Sequence, residues 1–296
     1  MQQAVKDLGK NKKRLKIGYI FCERKFEKDE KCFMKVAKQR NIDLVMFNVL
    51  KYFDDKTLRK KAKHCKMIFN NSAEDFAMEY VKTLEEMGKR VVDSSKTFYY
   101  TEDKWMFYLK CKKNKIPTPK TILLPENIWI ARTRLKKFNK WPVILKRISG
   151  NNGEYVAKAD NLEEAVDIMA KFWKKGSDRL PIVAQEFIKS KSYRITLIDN
   201  NIVQTATKDN TGWKSTGAYQ KIHHKFKVGS NLKKIAKKTA QMSGISVCGI
   251  DLMRKGEKWF VIEVNSQPSL DFFPEEREKL IEKIFDMIEK KCGRKR

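Results

Sequence analysis

No apolar run in this 296-residue chain approaches the roughly 18 residues that a membrane-spanning helix requires. The opening residues, Met1-Gln-Gln-Ala-Val-Lys-Asp7, lack the apolar core of a secretory signal, so a cytoplasmic protein is expected. Six cysteines (Cys22, Cys32, Cys65, Cys111, Cys248 and Cys292) are scattered, with no Cys-x-x-Cys pair and no zinc-type spacing. Reduced thiols are the expectation, and a disulfide scaffold or a cysteine-held zinc module is not. No Ser–His or Cys–His signature of an activated nucleophile is present, and neither is an internal repeat or a low-complexity tract.

What the chain has in excess is positive charge: 65 Lys and Arg against 36 Asp and Glu, a formal net charge of +29. A field of that sign attracts nucleic acid, acidic protein tails, phosphorylated metabolites or anionic lipid. Lysines occur in every block of the sequence, which favours dispersed solvating charge over one stripe selected for a partner; both readings stay open here. With 41% hydrophobic and 34% charged residues the chain is globular, and its length accommodates two or three small domains.

Residues 1–14 read as a basic arm. Short apolar runs at Leu15–Phe21, Asp43–Asn48, Lys66–Phe69 and Arg90–Asp93 alternate with helical stretches at Asp29–Arg40 and Glu74–Met87. That alternation predicts a small parallel, Rossmann-like α/β domain, bounded at 15–118. A helix at Asp103–Lys113 precedes the proline-rich Ile116-Pro-Thr-Pro-Lys120, and the pattern then changes. Strands are expected at Trp141–Lys146, Tyr155–Lys158 and Pro181–Ile188, with an amphipathic helix at Asn161–Trp173 capped by Asn161. This stretch, 119–190, forms a central subdomain. A third, 191–296, contains a hairpin turning at Asp199-Asn-Asn201, a basic helix near Asn231–Ser243, a last hairpin (Ser246–Met253, Lys258–Val264) and a closing helix at Pro274–Lys290.

The last hairpin carries the strongest chemical signal. Glu263 and Asn265 are two apart on a strand, so their side chains share a face. Asp251 on the preceding strand joins them only if paired residue numbers sum to an even value. That requires a three- or five-residue loop about Gly256, or a bulge, instead of a plain two-residue turn. Two carboxylates and an amide oxygen then form a hard-oxygen set suited to Mg²⁺ or Mn²⁺ on nucleotide phosphates; pairing with nearby lysines is the alternative. Lys146 at a strand end, followed by Ser149-Gly150-Asn151-Asn152-Gly153, can hold phosphate through its ammonium group and the loop's backbone N–H groups, although a plain turn has the same composition. Gln185-Glu186-Phe187-Ile188 can supply an apolar slot with a polar edge for adenine, or simply end a strand. Arg194, Lys208 and Lys214 lie on or just after the 193–207 hairpin, where they can neutralise a transferring phosphate or serve as solvated surface.

The order Pro142-Val-Ile-Leu-Lys146, Gly150-x-x-Gly153, Ala184-Gln-Glu-Phe-Ile188, Tyr193-Arg194, Gly249-Ile-Asp251 and Ile262-Glu-Val-Asn265 with Pro268 resembles the ATP-grasp enzymes, and within them the RimK-like carboxylate–amine (glutamate) ligases. The resemblance covers nearly the whole chain, including the Asp103-Lys104 opening of a helix ahead of the grasp region. It implies an ATP-grasp fold of mixed α/β and α+β character behind a small pre-ATP-grasp domain, with ATP and Mg²⁺ as cofactors. By the same resemblance Lys146 and Lys104 contact the nucleotide and Glu186–Ile188 line the adenine slot. Asp251, Glu263 and Asn265 hold the metal, and Arg194 stabilises the phosphoryl group. The chain departs from the pattern at Tyr155, Ser192-Tyr193, Lys214-Ser-Thr216 and Ser266-Gln-Pro-Ser269, all but the first on the substrate side.

The expected activity is ligation of an amine, such as an amino acid, to a substrate carboxylate through an acyl-phosphate, releasing ADP and phosphate. An acidic protein tail is one candidate acceptor, and association with nucleic acid or the ribosome, or self-association, is compatible with the charge; a membrane is not expected as a partner. The rivals are an inositol-phosphate-kinase-like enzyme on the same scaffold and a non-catalytic nucleic-acid-binding protein. The second leaves Asp251, Glu263 and Asn265 without a use.

Overall fold

The computed structural model describes residues 14–51, 54–72, 74–150, 153–175, 180–208, 212–213 and 223–294. Asn151, Asn152 and Lys214, three of the expected site residues, lie outside them. The chain divides into two compact units, residues 1–94 with 275–296, and residues 95–274.

In the first unit, strands β1 (Leu15–Phe21), β2 (Ile42–Asn48), β3 (Met67–Asn70) and β4 (Val91–Val92) form a parallel sheet in the order β2-β1-β3-β4. From Ile17 onward β1 carries no charged residue, because both of its faces are covered there, and Ile17, Tyr19 and Ile20 are fully buried. The connecting helices are α1 (Lys28–Gln39), α2 (Asp55–Ala62) and α3 (Asp75–Glu86). Helix α2, not anticipated from the sequence, starts where Asp54 accepts a hydrogen bond from the Thr57 N–H. The closing helix, α9 (Arg277–Lys291), belongs to this unit rather than to the C-terminal subdomain in which the sequence placed it. It packs on α1, where Phe33 meets Phe285 at 5.8 Å and Arg40 reaches both Asp286 and Glu289.

The second unit opens with two helices, α4 (Ser95–Glu102) and α5 (Lys104–Lys113). Asp103 caps α5 by accepting from the N–H groups of Trp105 and Met106. A four-stranded antiparallel sheet follows, ordered β5-β8-β6-β7 from β5 (Thr121–Leu124), β6 (Val143–Arg147), β7 (Val156–Ala159) and β8 (Ile182–Glu186). Helices α6 (Ile128–Phe138) and α7 (Leu162–Lys175) cover it, burying Ala131, Leu135, Ala165 and Met169. The last sheet is ordered β11-β10-β9-β12-β13. Its strands are β9 (Ser192–Ile198), β10 (Asn201–Lys208), β11 (His223–His224), β12 (Val247–Lys255) and β13 (Lys258–Asn265). The β9–β10 turn uses Asp199 and Asn200, both at positive φ, as tight hairpins require. Helix α8 (Ser230–Ser243) lies with α5 over one face of this sheet, sharing a core with Ile195, Leu197, Ile250, Leu252, Val261 and Val264. Strand alternation sends Arg194, Asp251 and Glu263 to the opposite face. No helix among the described residues is long and apolar enough to cross a membrane.

Candidate active site

The register condition on the last hairpin is met through its bulge. Lys255 pairs with Lys258, leaving a two-residue Gly256-Glu257 turn, with Gly256 at φ +58. Near the turn the pairing would put Asp251 and Glu263 on opposite faces. Between Leu252↔Val261 and Asp251↔Glu263 the register shifts by one residue, and Ile262 is the extra one. Asp251 and Glu263 therefore stand directly opposite each other, with Asn265 opposite Gly249.

Asp251 is buried and Glu263 half-buried, and their charge is partly compensated. Asp251 is 3% exposed, and Arg194 grips it with two bonds, Nε to Oδ1 at 2.5 Å and Nη2 to Oδ2 at 2.8 Å. Burial raises the pKa of the Glu263 carboxyl, the Asp251 charge pushes it the same way, and Lys146 opposes both. Burial also works against the Arg194 charge, but Asp251 outweighs it and holds the guanidinium protonated. Asn265 Nδ2 donates to Asp251 Oδ2 at 3.3 Å and to the Gly249 carbonyl at 3.4 Å, which places its amide beside the acidic pair. Two carboxylates with an amide beside them are a donor set that fits a hard divalent cation. A cation there would relieve the repulsion that raises Glu263.

Arg194 reaches Asp251 because β12 carries a glycine next to it. A Cβ on Gly249 would collide with the Arg194 Nη1 and lie 2.9 Å from the Pro268 Cβ. The segment after β13 thus folds back over the sheet, and Phe272 lies under the same guanidinium at 5.7 Å. Neither Gly249 nor Phe272 was singled out for such a role from sequence. A glycine inside a strand, two residues before its buried aspartate, was the available signal.

Lys146, the last residue but one of β6, is held by a buried polar chain. Its Nζ donates to Gln185 Oε1 at 3.0 Å, Gln185 Nε2 donates to Thr121 Oγ1 at 3.1 Å, and Thr121 Oγ1 donates to the Pro119 carbonyl at 3.0 Å. Gln185 therefore orients the lysine, a different use from the adenine edge expected of it. Burial lowers the Lys146 pKa, and Lys104 adds to this, while Glu263 and Asp251 raise it. Those influences join Lys104, Lys146, Asp251, Glu263 and Arg194 into one electrostatic neighbourhood.

Lys104 ties α5 to the loop after β6: its N–H donates to the Ile148 carbonyl and its Nζ to the Gly150 carbonyl, both at 2.9 Å. Gly150 (φ +126) and Gly153 (φ +68) adopt the backbone expected of them. Tyr155, which breaks the family's glycine pattern, sits beneath this loop between the Arg147 guanidinium at 4.2 Å and the Phe172 ring at 5.7 Å. At the end of β8, Glu186 and Phe187 are half-buried and Ile188 is buried. The Glu186 carboxylate lies 4.0 Å from Lys255. The Lys208 backbone pairs with Ser192 and His223 at the end of β10.

Residues 101–289 match the RimK-like ATP-grasp domain. Over 205 residues the chain is 27% identical to the Coenzyme gamma-F420-2:alpha-L-glutamate ligase of Methanocaldococcus jannaschii, covering 67% of this chain and 69% of that one. It is 26% identical over 212 residues to a probable alpha-L-glutamate ligase of Haemophilus influenzae, covering 69% and 67%. With the Alpha-aminoadipate–LysW ligase LysX of Saccharolobus solfataricus it shares 25% over 194 residues, covering 62% and 68%. Among solved structures, a RimK domain ATP-grasp protein from Sphaerobacter thermophilus superposes with a TM-score of 0.73 at 15% identity, covering 92% of this chain and 98% of that one. The D-alanine–D-alanine ligase of Bacillus anthracis complexed with ATP gives 0.71 at 16%, covering 95% and 98%.

Proposed function

Because the chain belongs to the RimK-like ATP-grasp family, we propose that it is a cytoplasmic Mg-ATP-dependent ligase that joins an amino acid or other amine to a substrate carboxylate through an acyl-phosphate. The observation that carries this reading is the Asp251–Glu263 pair, with Asn265 beside it and Lys146 and Arg194 in the same neighbourhood.

In this proposal Asp251, Glu263 and Asn265 hold Mg²⁺, which offsets charge on the nucleotide phosphates. Lys146, kept in place by Gln185 and Thr121, pairs with a phosphate, and the Gly150–Gly153 loop covers the triphosphate with Lys104 fixing its Gly150 end. Glu186, Phe187 and Ile188 line the adenine slot. The substrate carboxylate attacks the γ-phosphorus, ADP leaves, and the amine then displaces phosphate from the acyl-phosphate. Arg194 stabilises the charge that develops in transfer, with Lys208 and Lys214 supplying further positive charge. No protein nucleophile takes part.

The test is ADP and phosphate release that requires both a carboxylate and an amine, screened across amino acids with glutamate first. A phosphorylated product without free phosphate would make the enzyme a kinase. Glu263→Gln is expected to lose activity at limiting Mg²⁺, and its full retention there would remove the metal assignment.

A further inference from the structure

Three long stretches of this chain contain no acidic residue, although the chain as a whole has 36 acids in 296 residues, about one every eight: residues 104–125 carry six lysines, residues 127–153 four lysines and three arginines, and residues 210–250 eight lysines. The first and the third are remote in sequence, and the fold puts their helices side by side. Helices α5 and α8 pack together on one face of the five-stranded sheet, burying Phe107 and Cys111 of the first and Leu232 and Ile235 of the second. The remaining sides carry the charge. Lys112, Lys113 and Lys115 at the end of α5 are exposed, as are Lys233, Lys234 and Lys238 of α8, with Lys237 half-exposed.

None of these seven lysines forms a salt bridge with a described residue. Within α8, Lys233 faces Lys237 and Lys234 faces Lys238 at four-residue spacing, an arrangement that destabilises an isolated helix. The acidic set of the active site is on the other face of the same sheet, so these cations do not serve the nucleotide. Dispersed lysine usage, the simpler expectation from sequence, does not account for two acid-free segments meeting in one layer.

We propose that this lysine layer is a docking surface for the phosphate backbone of a nucleic acid. Protein–protein interface cores are poor in lysine and anchored by aromatic, Met and Arg side chains, and on these two helices Leu109 is the single large apolar side chain that is exposed. Phosphate recognition needs no such anchor, and its surfaces are strongly positive. Contacts of this kind are sequence-independent and weaken steeply with salt.

The experiment measures binding of a fluorescently labelled 20-nucleotide single-stranded RNA to the full chain between 50 and 200 mM KCl. Replacing Lys233, Lys234, Lys237 and Lys238 by Gln is expected to weaken binding at least tenfold and to flatten the slope of log K against log salt by roughly 3. ATP turnover should be unaffected and the melting temperature should not fall, since the repelling pairs of α8 are removed, and replacing the same four by Arg should preserve binding. Replacing Lys56, Arg59, Lys60 and Lys63 by Gln removes as much charge from the region of α2 and should leave most of the affinity. The proposal is overturned if the α8 variant binds like the parent, or if the α2 variant loses as much. Polyglutamate binding the α8 lysines more tightly than the RNA would also overturn it and assign the surface to an acidic protein.

Discussion

At the scale of single residues, the proposed active site depends on side chains that do no chemistry. Gly249 is the clearest, since its missing Cβ is the space occupied by the Arg194 guanidinium. Gly249→Ala is expected to displace Arg194 from Asp251 and to lower kcat about 100-fold, as an ångström-scale misplacement does, with KM for ATP changing much less. Steady-state kinetics at saturating Mg²⁺ separate the two. Thr121 acts at a further remove, through Gln185 to Lys146. Thr121→Val leaves a buried amide without its acceptor, so KM for ATP should rise about tenfold, and Thr121→Ser should restore it. Tyr19 provides a readout in stability. Burial and the charges of Glu30 and Asp29 raise its pKa well above the ordinary tyrosine value. Above about pH 10 the unfolded chain sheds a proton that the folded chain keeps, so the stability tied to this group is present below that pH and declines as pH rises. Urea denaturation from pH 8 to 11 should show a shallower decline in Tyr19→Phe.

At the scale of elements, the last hairpin was largely legible and its surroundings were not. Sequence alone stated the parity that Asp251 and Glu263 must satisfy and offered a bulge as one solution; the bulge is at Ile262. The hairpin was readable because Asp251 and Glu263 interrupt strongly apolar strands. Helix α6 was missed because Trp129 and Ile130 point to solvent, 77% and 49% exposed, and so blur the period set by Ala131 and Leu135. Helix α2 has only Leu58 and Ala62 inside, and β5 is four residues long. The links Arg194–Asp251 and Gln185–Thr121 span 57 and 64 residues; no local pattern encodes them, since they follow from strand order. Removing Ile262 tests what the bulge is for. Val261, Glu263 and Val264 keep their faces in the shortened strand, so the deletion is expected to fold with normal circular dichroism. Its strand twist should relax, and Mg²⁺, expected to raise the melting temperature of the parent, should no longer raise that of the deletion.

At the scale of the molecule, charge and chain path set the behaviour. With +29 on 296 residues, self-repulsion opposes compaction and is screened by salt. The melting temperature should therefore rise between 20 and 200 mM KCl, measured without nucleotide. The closing helix gives a second test. Phe285, fully buried in α9, packs against Phe33 of α1, and Phe285→Ala should cost about 3–5 kcal/mol of stability. Hydrogen exchange should place the loss in residues 15–92 and α9.

The path of the chain also bears on its birth. Residues 95–274 form an uninterrupted unit, whereas residues 1–94 share theirs with 275–296. Chains usually fold domain by domain from the N-terminus as they leave the ribosome. Here α1 completes its packing only with the last helix, since Phe285, Asp286 and Glu289 of α9 close on Phe33 and Arg40. The unit at 95–274 has its whole sequence before the first unit has its last helix, so the order of synthesis need not be the order in which the two units are completed.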